Sequence, residues 1–290
     1  MSIATTFVHT PRMTFHCRSH GAPDGDPMLL LHGSFGSSRW WEPFMALLPD
    51  EIYALAPDLR GCGLSQSPID EGDGLATWVD IGEQAQDIRS LLAALGWRDF
   101  DLVGHSSGGA MAMELAINHG ELLASLTLVD STPVEGVFTP LETLELLHAM
   151  QSDRVLLANA LALLMPSYMA HVDPESDAFF QQLVQDAAQM ATPLFTGLAE
   201  ALGRWNRLRE AGALTLPTLL VRGELDEIIS QDATTRTLIA LPGANNLEIL
   251  RGVGHSPMIE APLTLAERII DFITEDYGYF AAVRDSADDA

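Results

Sequence analysis

The chain has 290 residues and a mass of 31.4 kDa, long for one small domain and short for two, which suits one large domain carrying an insertion. A hydrophobic share of 47% and a charged share of 19% exclude a disordered or fibrous chain. Forty Asp and Glu face fifteen basic residues, every one an arginine, for a net charge of −25; that field repels phosphate backbones and anionic lipid, and the missing lysine removes Schiff-base chemistry and a lysine-dependent phosphate loop. Cys17 and Cys62 make neither a CxxC pair nor a disulfide framework. Met1–Arg18 lacks the basic start and apolar core of a signal peptide, and no apolar run reaches the ~20 residues of a membrane span. The expectation is a cytoplasmic protein, monomer or homodimer, that works on a small molecule and has no nucleic-acid or membrane partner.

In chain order, the first elements are short and β-rich. Thr5–His9 and Met13–Arg18, parted by Pro11 and closed by Gly21, suggest a hairpin or meander. Met28–Leu31 is an unbroken apolar run of the kind a buried parallel strand carries. A short helical stretch over Trp40–Leu48 leads to a strand at Ile52–Ala56. From Asp80 to Leu95, Ile81, Ala85, Ile88, Leu91, Leu92 and Leu95 recur at helical spacing, and Gly96 supplies the stop. Strand Phe100–Val103, helix Gly108–His119 and strand Leu126–Val129 follow. The rhythm resumes later with strand Thr218–Val221, a helix near Asp232–Leu241, strand Leu247–Leu250 and helix Leu263–Thr274. Repeated strand–helix units argue an α/β fold, a mostly parallel sheet with helices on both faces.

Ser131–Gly212 breaks the alternation and reads as helices only: Leu141–Ala149, Arg154–Leu164, Glu175–Met190 and Leu194–Ala211. Asp173-Pro174 is a helix start, with Asp able to cap and Pro suited to the first turn. The expected division is a sheet core over residues 1–130, a helical cap over 131–212, and the rest of the core over 213–290, with an acidic tail from Tyr277 that should fray.

The strongest chemical signal is Gly104-His105-Ser106-Ser107-Gly108, a G-x-S-x-G motif directly after one expected strand and directly before a helix. Small residues on either side let the chain turn sharply and present the Ser106 hydroxyl, while the amides at the helix start face any negative charge on a substrate oxygen. A serine hydroxyl is a weak nucleophile and needs a base that is itself held by an acid. His255, in Gly252-Val253-Gly254-His255-Ser256-Pro257 after the last strand, is the expected base; His119, His148 and His171 suit surface or packing roles better. Asp226, just past strand Thr218–Val221, is the expected acid. Glu224 and Glu227 compete locally, and Asp130, at the end of strand Leu126–Val129, is the serious alternative. The loop His32-Gly33-Ser34-Phe35-Gly36 should supply one oxyanion donor, the backbone N–H of Ser34 with Phe35 next in line, and Ser107 N–H the other. Phe35 and Trp41 are the expected substrate contacts. His16-Cys17-Arg18-Ser19-His20 does not make a metal site, because side chains alternate faces along a strand. No dinucleotide fingerprint or phosphate loop occurs, and no metal or organic cofactor is expected.

These segments together resemble the α/β-hydrolase superfamily in its capped, esterase-like branch. The resemblance rests on Leu31-His32-Gly33, Pro57-Asp58-Leu59-Arg60-Gly61-Cys62-Gly63-Leu64-Ser65, Gly104–Gly109, Gly223-Glu224-Leu225-Asp226 and Gly254-His255. It implies an eight-stranded, mostly parallel sheet with an inserted helical cap, and Ser106, Asp226 and His255 as nucleophile, acid and base. Asp58 and Arg60 then shape a turn. The implied reaction is hydrolysis of a carboxylic ester or lactone of a small, mainly apolar, uncharged substrate. Thioester, amide or carbon–carbon bond hydrolysis and perhydrolysis use the same groups, and a slow-turnover ligand receptor would keep them as well.

Overall fold

In this computed structural model, which describes residues 3–68 and 74–276, eight strands form one sheet; the acidic tail from Tyr277 lies outside the described residues. The strands are β1 (Ala4–His9), β2 (Thr14–His20), β3 (Asp26–Leu31), β4 (Ile52–Pro57), β5 (Phe100–His105), β6 (Leu123–Val129), β7 (Thr218–Gly223) and β8 (Ala244–Leu250). Their order is β1-β2-β4-β3-β5-β6-β7-β8. The pairs β1/β2 and β2/β4 are antiparallel, and every other pair is parallel.

Middle strands carry unbroken apolar runs, Met28–Leu31 in β3 and Leu219–Val221 in β7, because both faces are covered. Met28, Leu29, Leu30, Leu31, Leu102 and Leu126 have no exposed surface. The helix Ile81–Leu95 shows how local sequence sets its own ends. Asp80 caps it by accepting a hydrogen bond from Glu83 N, and Gly96 ends it at φ 69°, a left-handed conformation that needs glycine. Its buried face is Ile81, Ala85, Ile88, Leu91 and Leu92.

Register brings the carboxyl ends of five strands to one edge. Leu31 lies opposite Gly104, His105 opposite Val129, Val129 opposite Val221, and Gly223 opposite Leu250. Loops leaving those ends carry Ser34, Ser106, Asp130, Asp226 and His255.

Between β6 and β7 the described elements are helices: Leu141–Ala149, Arg154–Leu163, Pro166–Met169, Pro174–Ala188, Leu194–Arg204 and Leu208–Ala211. This insertion is tied down at that same edge. Asp186 Oδ2 accepts from Ser37 Oγ at 2.7 Å and from Arg39 Nε at 2.9 Å, next to the Ser34 loop. Glu260 Oε2 accepts from Ser167 N at 3.0 Å and Ser167 Oγ at 2.6 Å, next to the His255 loop.

The continuous helix expected over Leu194–Ala211 is broken. Trp205 turns extended, ψ 129°, so that its Nε1 donates to Glu114 Oε2 at 2.8 Å, and Arg207 Nε reaches the same oxygen at 2.7 Å. Two charge-assisted bonds to a nearly buried carboxylate outweigh the one or two helical bonds lost at the break. Among the described residues no helix is long and apolar enough to cross a membrane.

Candidate active site

Ser106 sits between the end of β5 and the helix Ser107–His119, at φ 53° and ψ −121°. A non-glycine residue there is strained, and the turn holds because its surroundings leave no alternative. Gly108 explains part of this. A Cβ there would lie 2.4 Å from His32 O, so only glycine lets the helix start press against the loop after β3. Gly33 in that loop is as confined, since a Cβ on it would fall 2.7 Å from Ser106 Cβ. The loop is therefore packed directly on the candidate nucleophile.

His255 Nε2 lies 3.0 Å from Ser106 Oγ, and its Nδ1 lies 3.0 Å from Asp226 Oδ2, although off the axis of a well-aligned hydrogen bond. Asp226 Oδ1 accepts from the backbone N–H of Ile228 at 2.8 Å and of Ile229 at 3.2 Å, which fixes the carboxylate's orientation. Burial alone would raise the Asp226 pKa. His255, Asp130 and the Ile228 amide outweigh it and hold the group below its ordinary range, so it is an anion at neutral pH. The structure thus brings Ser106, His255 and Asp226 into one line, with a hydrogen bond between Ser106 and His255 and a 3.0 Å contact between His255 and Asp226. Glu224 and Glu227 are exposed, with Glu224 capping Gly252 N at 2.8 Å. His119 lies 3.9 Å from Glu121, His148 is 3.3 Å from Gln151, and His171 is exposed.

Ser34 and Ser107 come together across the site, Oγ to Oγ at 3.2 Å. Ser107 is the first residue of its helix, so its N–H has no partner within the helix and forms part of the helix's positive end. His32 holds the other side. Its Nδ1–H donates to Gly33 O at 2.8 Å and its Nε2 accepts from Leu59 N at 3.0 Å, while burial lowers its pKa and keeps it neutral.

Phe35 is half-buried at φ 62° and packs edge-on to Phe195 of the insertion, ring centroids 5.5 Å apart, which places it on a wall between loop and insertion. Trp41 does not join it. That side chain has no exposed surface and packs edge-on to Phe44, 5.5 Å centroid to centroid, because the short 3-10 turn Ser38–Trp41 directs it into the core. The expectation that Trp41 contacts substrate is corrected accordingly.

Sequence reasoning gave His105 no role. Its Nε2–H donates to the carbonyl oxygen of His255 at 2.7 Å, bracing the His255 loop from β5. Burial, with His255 adding to it, pushes the His105 pKa down to about 3, so this donor stays neutral. A histidine beside the serine was visible in the sequence; its partner, 150 residues on, was not. Asp130, Asp226 and His255 are the one group of metal-ligand types found close together among the described residues, within 4.8 Å. His255 Nε2 is engaged with Ser106, and its Nδ1 lies 3.0 Å from Asp226 Oδ2.

The family model described as "Alpha/beta hydrolase family" matches residues 28–268. The chain belongs to the alpha/beta hydrolase family. It is an enzyme fold with hydrolases for relatives. A protein of Pseudomonas sp. (strain CF600) named 2-hydroxymuconate semialdehyde hydrolase is 31% identical over 273 residues, covering 88% of this chain and 89% of the relative. One of Mesorhizobium japonicum named 2-(acetamidomethylene)succinate hydrolase is 28% identical over 253 residues, covering 81% and 86%. The solved enol-lactonase of Burkholderia xenovorans LB400 superposes with a TM-score of 0.79 at 18% identity, covering 93% of this chain and 100% of that one, a likeness of fold.

Proposed function

We propose that this hydrolase cleaves a carboxylic ester or lactone of a small, uncharged, mainly apolar substrate through an acyl-enzyme on Ser106. The observation that carries the reading is the line Ser106 Oγ, His255, Asp226, with each contact at 3.0 Å. His255 Nε2 takes the Ser106 proton as Oγ attacks the carbonyl, and Asp226 holds the imidazole tautomer and stabilises the imidazolium. The backbone N–H groups of Ser34 and Ser107 receive the oxyanion. His255 then protonates the leaving alcohol, and water activated by the same nitrogen releases the acid. The groups that act are all protein side chains and amides.

Charge pairing in the insertion supports a neutral substrate. Arg207 is clamped on Glu114, Arg204 lies 4.0 Å from Glu200, and Arg154 and Arg209 are exposed. At the loop after β3, Arg39 is taken by Asp186 and Gln182. A substrate carboxylate would enter a protein of net charge −25 with each of these arginines already paired or in solvent. The relatives' names point the other way, since muconate and succinate derivatives are carboxylates, and the carbon–carbon hydrolysis implied by a semialdehyde hydrolase is the second reading.

The test is kcat/KM for a chromogenic neutral ester against its ω-carboxylate analogue of equal length, with Ser106→Ala as control. The neutral ester should be preferred at least tenfold, a difference of about 1.4 kcal/mol. Ser106→Ala should lose on the order of 10⁶ in turnover. Preference for the carboxylate would refute the substrate class, and a folded Ser106→Ala within tenfold of wild type would refute the mechanism.

A further inference from the structure

Behind His255 lie two buried carboxyls where one suffices for the chemistry. Asp130 leaves β6 at φ 41°, and its Oδ1 accepts from Gly223 N at 2.9 Å. Its Oδ2 is shut off from solvent and has no hydrogen-bond partner among the described residues. Asp226 Oδ2, equally shut off, has only the off-axis contact with His255. The ligand-type oxygens and nitrogen of Asp130, Asp226 and His255 all fall within 4.8 Å of one another.

Two buried carboxylates this close repel strongly, and one of them takes up a proton. A single proton between the facing oxygens replaces the repulsion with an O–H···O⁻ hydrogen bond and satisfies both. The surroundings decide which carboxyl keeps it. Asp226 has two backbone amides on Oδ1 and His255 beside Oδ2, whereas Asp130 has one amide. Arg222 of β7 also faces the pair and opposes the proton on Asp130; its Nη1 and Nη2 donate to the carbonyls of Gly223, Asp226 and Ile229, and its effect is smaller than those of burial and Asp226. His105 flanks His255 from β5, ring centroids 4.9 Å apart, and is neutral. Burial, and then Asp226, push the Asp130 carboxyl well above its usual range.

We propose that Asp130 is a positioning residue: a neutral carboxylic acid that donates a hydrogen bond to Asp226 Oδ2, aligning the acid behind His255 without adding a second negative charge there. The catalytic consequence rests on the triad reading given above; the location of the proton does not.

Asp130→Asn is the isosteric test, because its carbonyl still accepts from Gly223 N, its amide donates to Asp226, and Asn tolerates positive φ. Asp130→Ala removes both bonds. In infrared difference spectra at pH 7, wild type should show a protonated carboxylic acid C=O band that Asp130→Asn lacks and Ser106→Ala retains. The acid limb of kcat/KM should move less than about 0.3 unit in Asp130→Asn. In Asp130→Ala it should move to higher pH, since Asp226 without its donor holds the imidazolium more tightly. Were Asp130 a second anion, Asp130→Asn would move the limb down by about one unit or more and wild type would show no band; either result overturns the proposal. Carboxyl ¹³C shifts of wild type read the same proton without any variant, with one aspartate expected to stay protonated through pH 7. These spectroscopic arms need no turnover, so a failure of the triad reading in Ser106→Ala would remain distinguishable from a failure of this one.

Discussion

Holding Asp130 protonated has a cost that shows as a pH dependence of stability. In the unfolded chain an aspartate ionises near pH ~3.9, whereas in the folded protein burial and Asp226 raise the Asp130 pKa well above that. Its contribution is therefore fully present below pH ~3.9 and is lost as pH rises toward the folded value, because unfolding releases a proton. While folding holds one extra proton, wild type loses about 1.4 kcal/mol of stability per pH unit relative to Asp130→Asn, which has nothing to titrate. The difference should therefore widen as pH rises above ~3.9 until the folded Asp130 ionises. Asp226 shifts oppositely. Its depressed pKa gives stability that is present above pH ~3.9 and lost as pH falls below it, outside this window and shared by both proteins. The assay is urea unfolding of both proteins at pH 5, 6 and 7, with equal m-values required before midpoints are compared. A difference that stays constant across the three pH values would mean that Asp130 is ionised in the folded protein and would refute the reasoning.

Asp226→Asn should lower turnover on the order of 10⁴, since an amide cannot stabilise the imidazolium and favours the wrong tautomer. Initial rates at equal folded fraction check it, and if Asp130→Asn were the slower enzyme the acid would be Asp130. Glu114→Ala should cost about 2 kcal/mol in urea unfolding, because it strips Trp205 Nε1, Arg207 and Asn118 of a shared, nearly buried acceptor. A loss under about 0.5 kcal/mol would mean that the break after Arg204 has another cause.

Signals confined to a few neighbouring residues were legible in the sequence. The elbow at Ser106 is local sterics, so strand, serine, glycine and helix all read directly. The loop of Asp226 follows the apolar run Leu219–Val221 of an interior strand, the loop of His255 follows the edge strand β8, and parallel register carries both to the edge where Ser106 stands. What the sequence hid depends on distant partners. Trp205 breaks a helix for the sake of Glu114, 91 residues earlier. Trp41 lies six residues from Phe35 yet points into the core, because a one-turn change in backbone direction reverses which side of the loop a ring occupies.

The acid position shows where pattern reading stops. Asp130 and Asp226 end adjacent parallel strands, so sequence places both at the sheet edge and leaves them as rivals. The three-dimensional arrangement removes the rivalry by setting them face to face, with unequal donors. Two backbone amides and an imidazole favour charge on Asp226; one amide and complete burial favour a proton on Asp130. Substrate charge poses the same problem on a larger scale. The chain carries four arginines in its insertion, and counting them says nothing about anion binding. Whether Arg207 could clamp a carboxylate depends on Glu114, a residue of the helix that follows Ser106, and that carboxylate has already taken it. An anionic substrate that recruited Arg207 would break this pair and leave Glu114 nearly buried and unneutralised, a penalty of several kcal/mol that a single new ion pair would not recover.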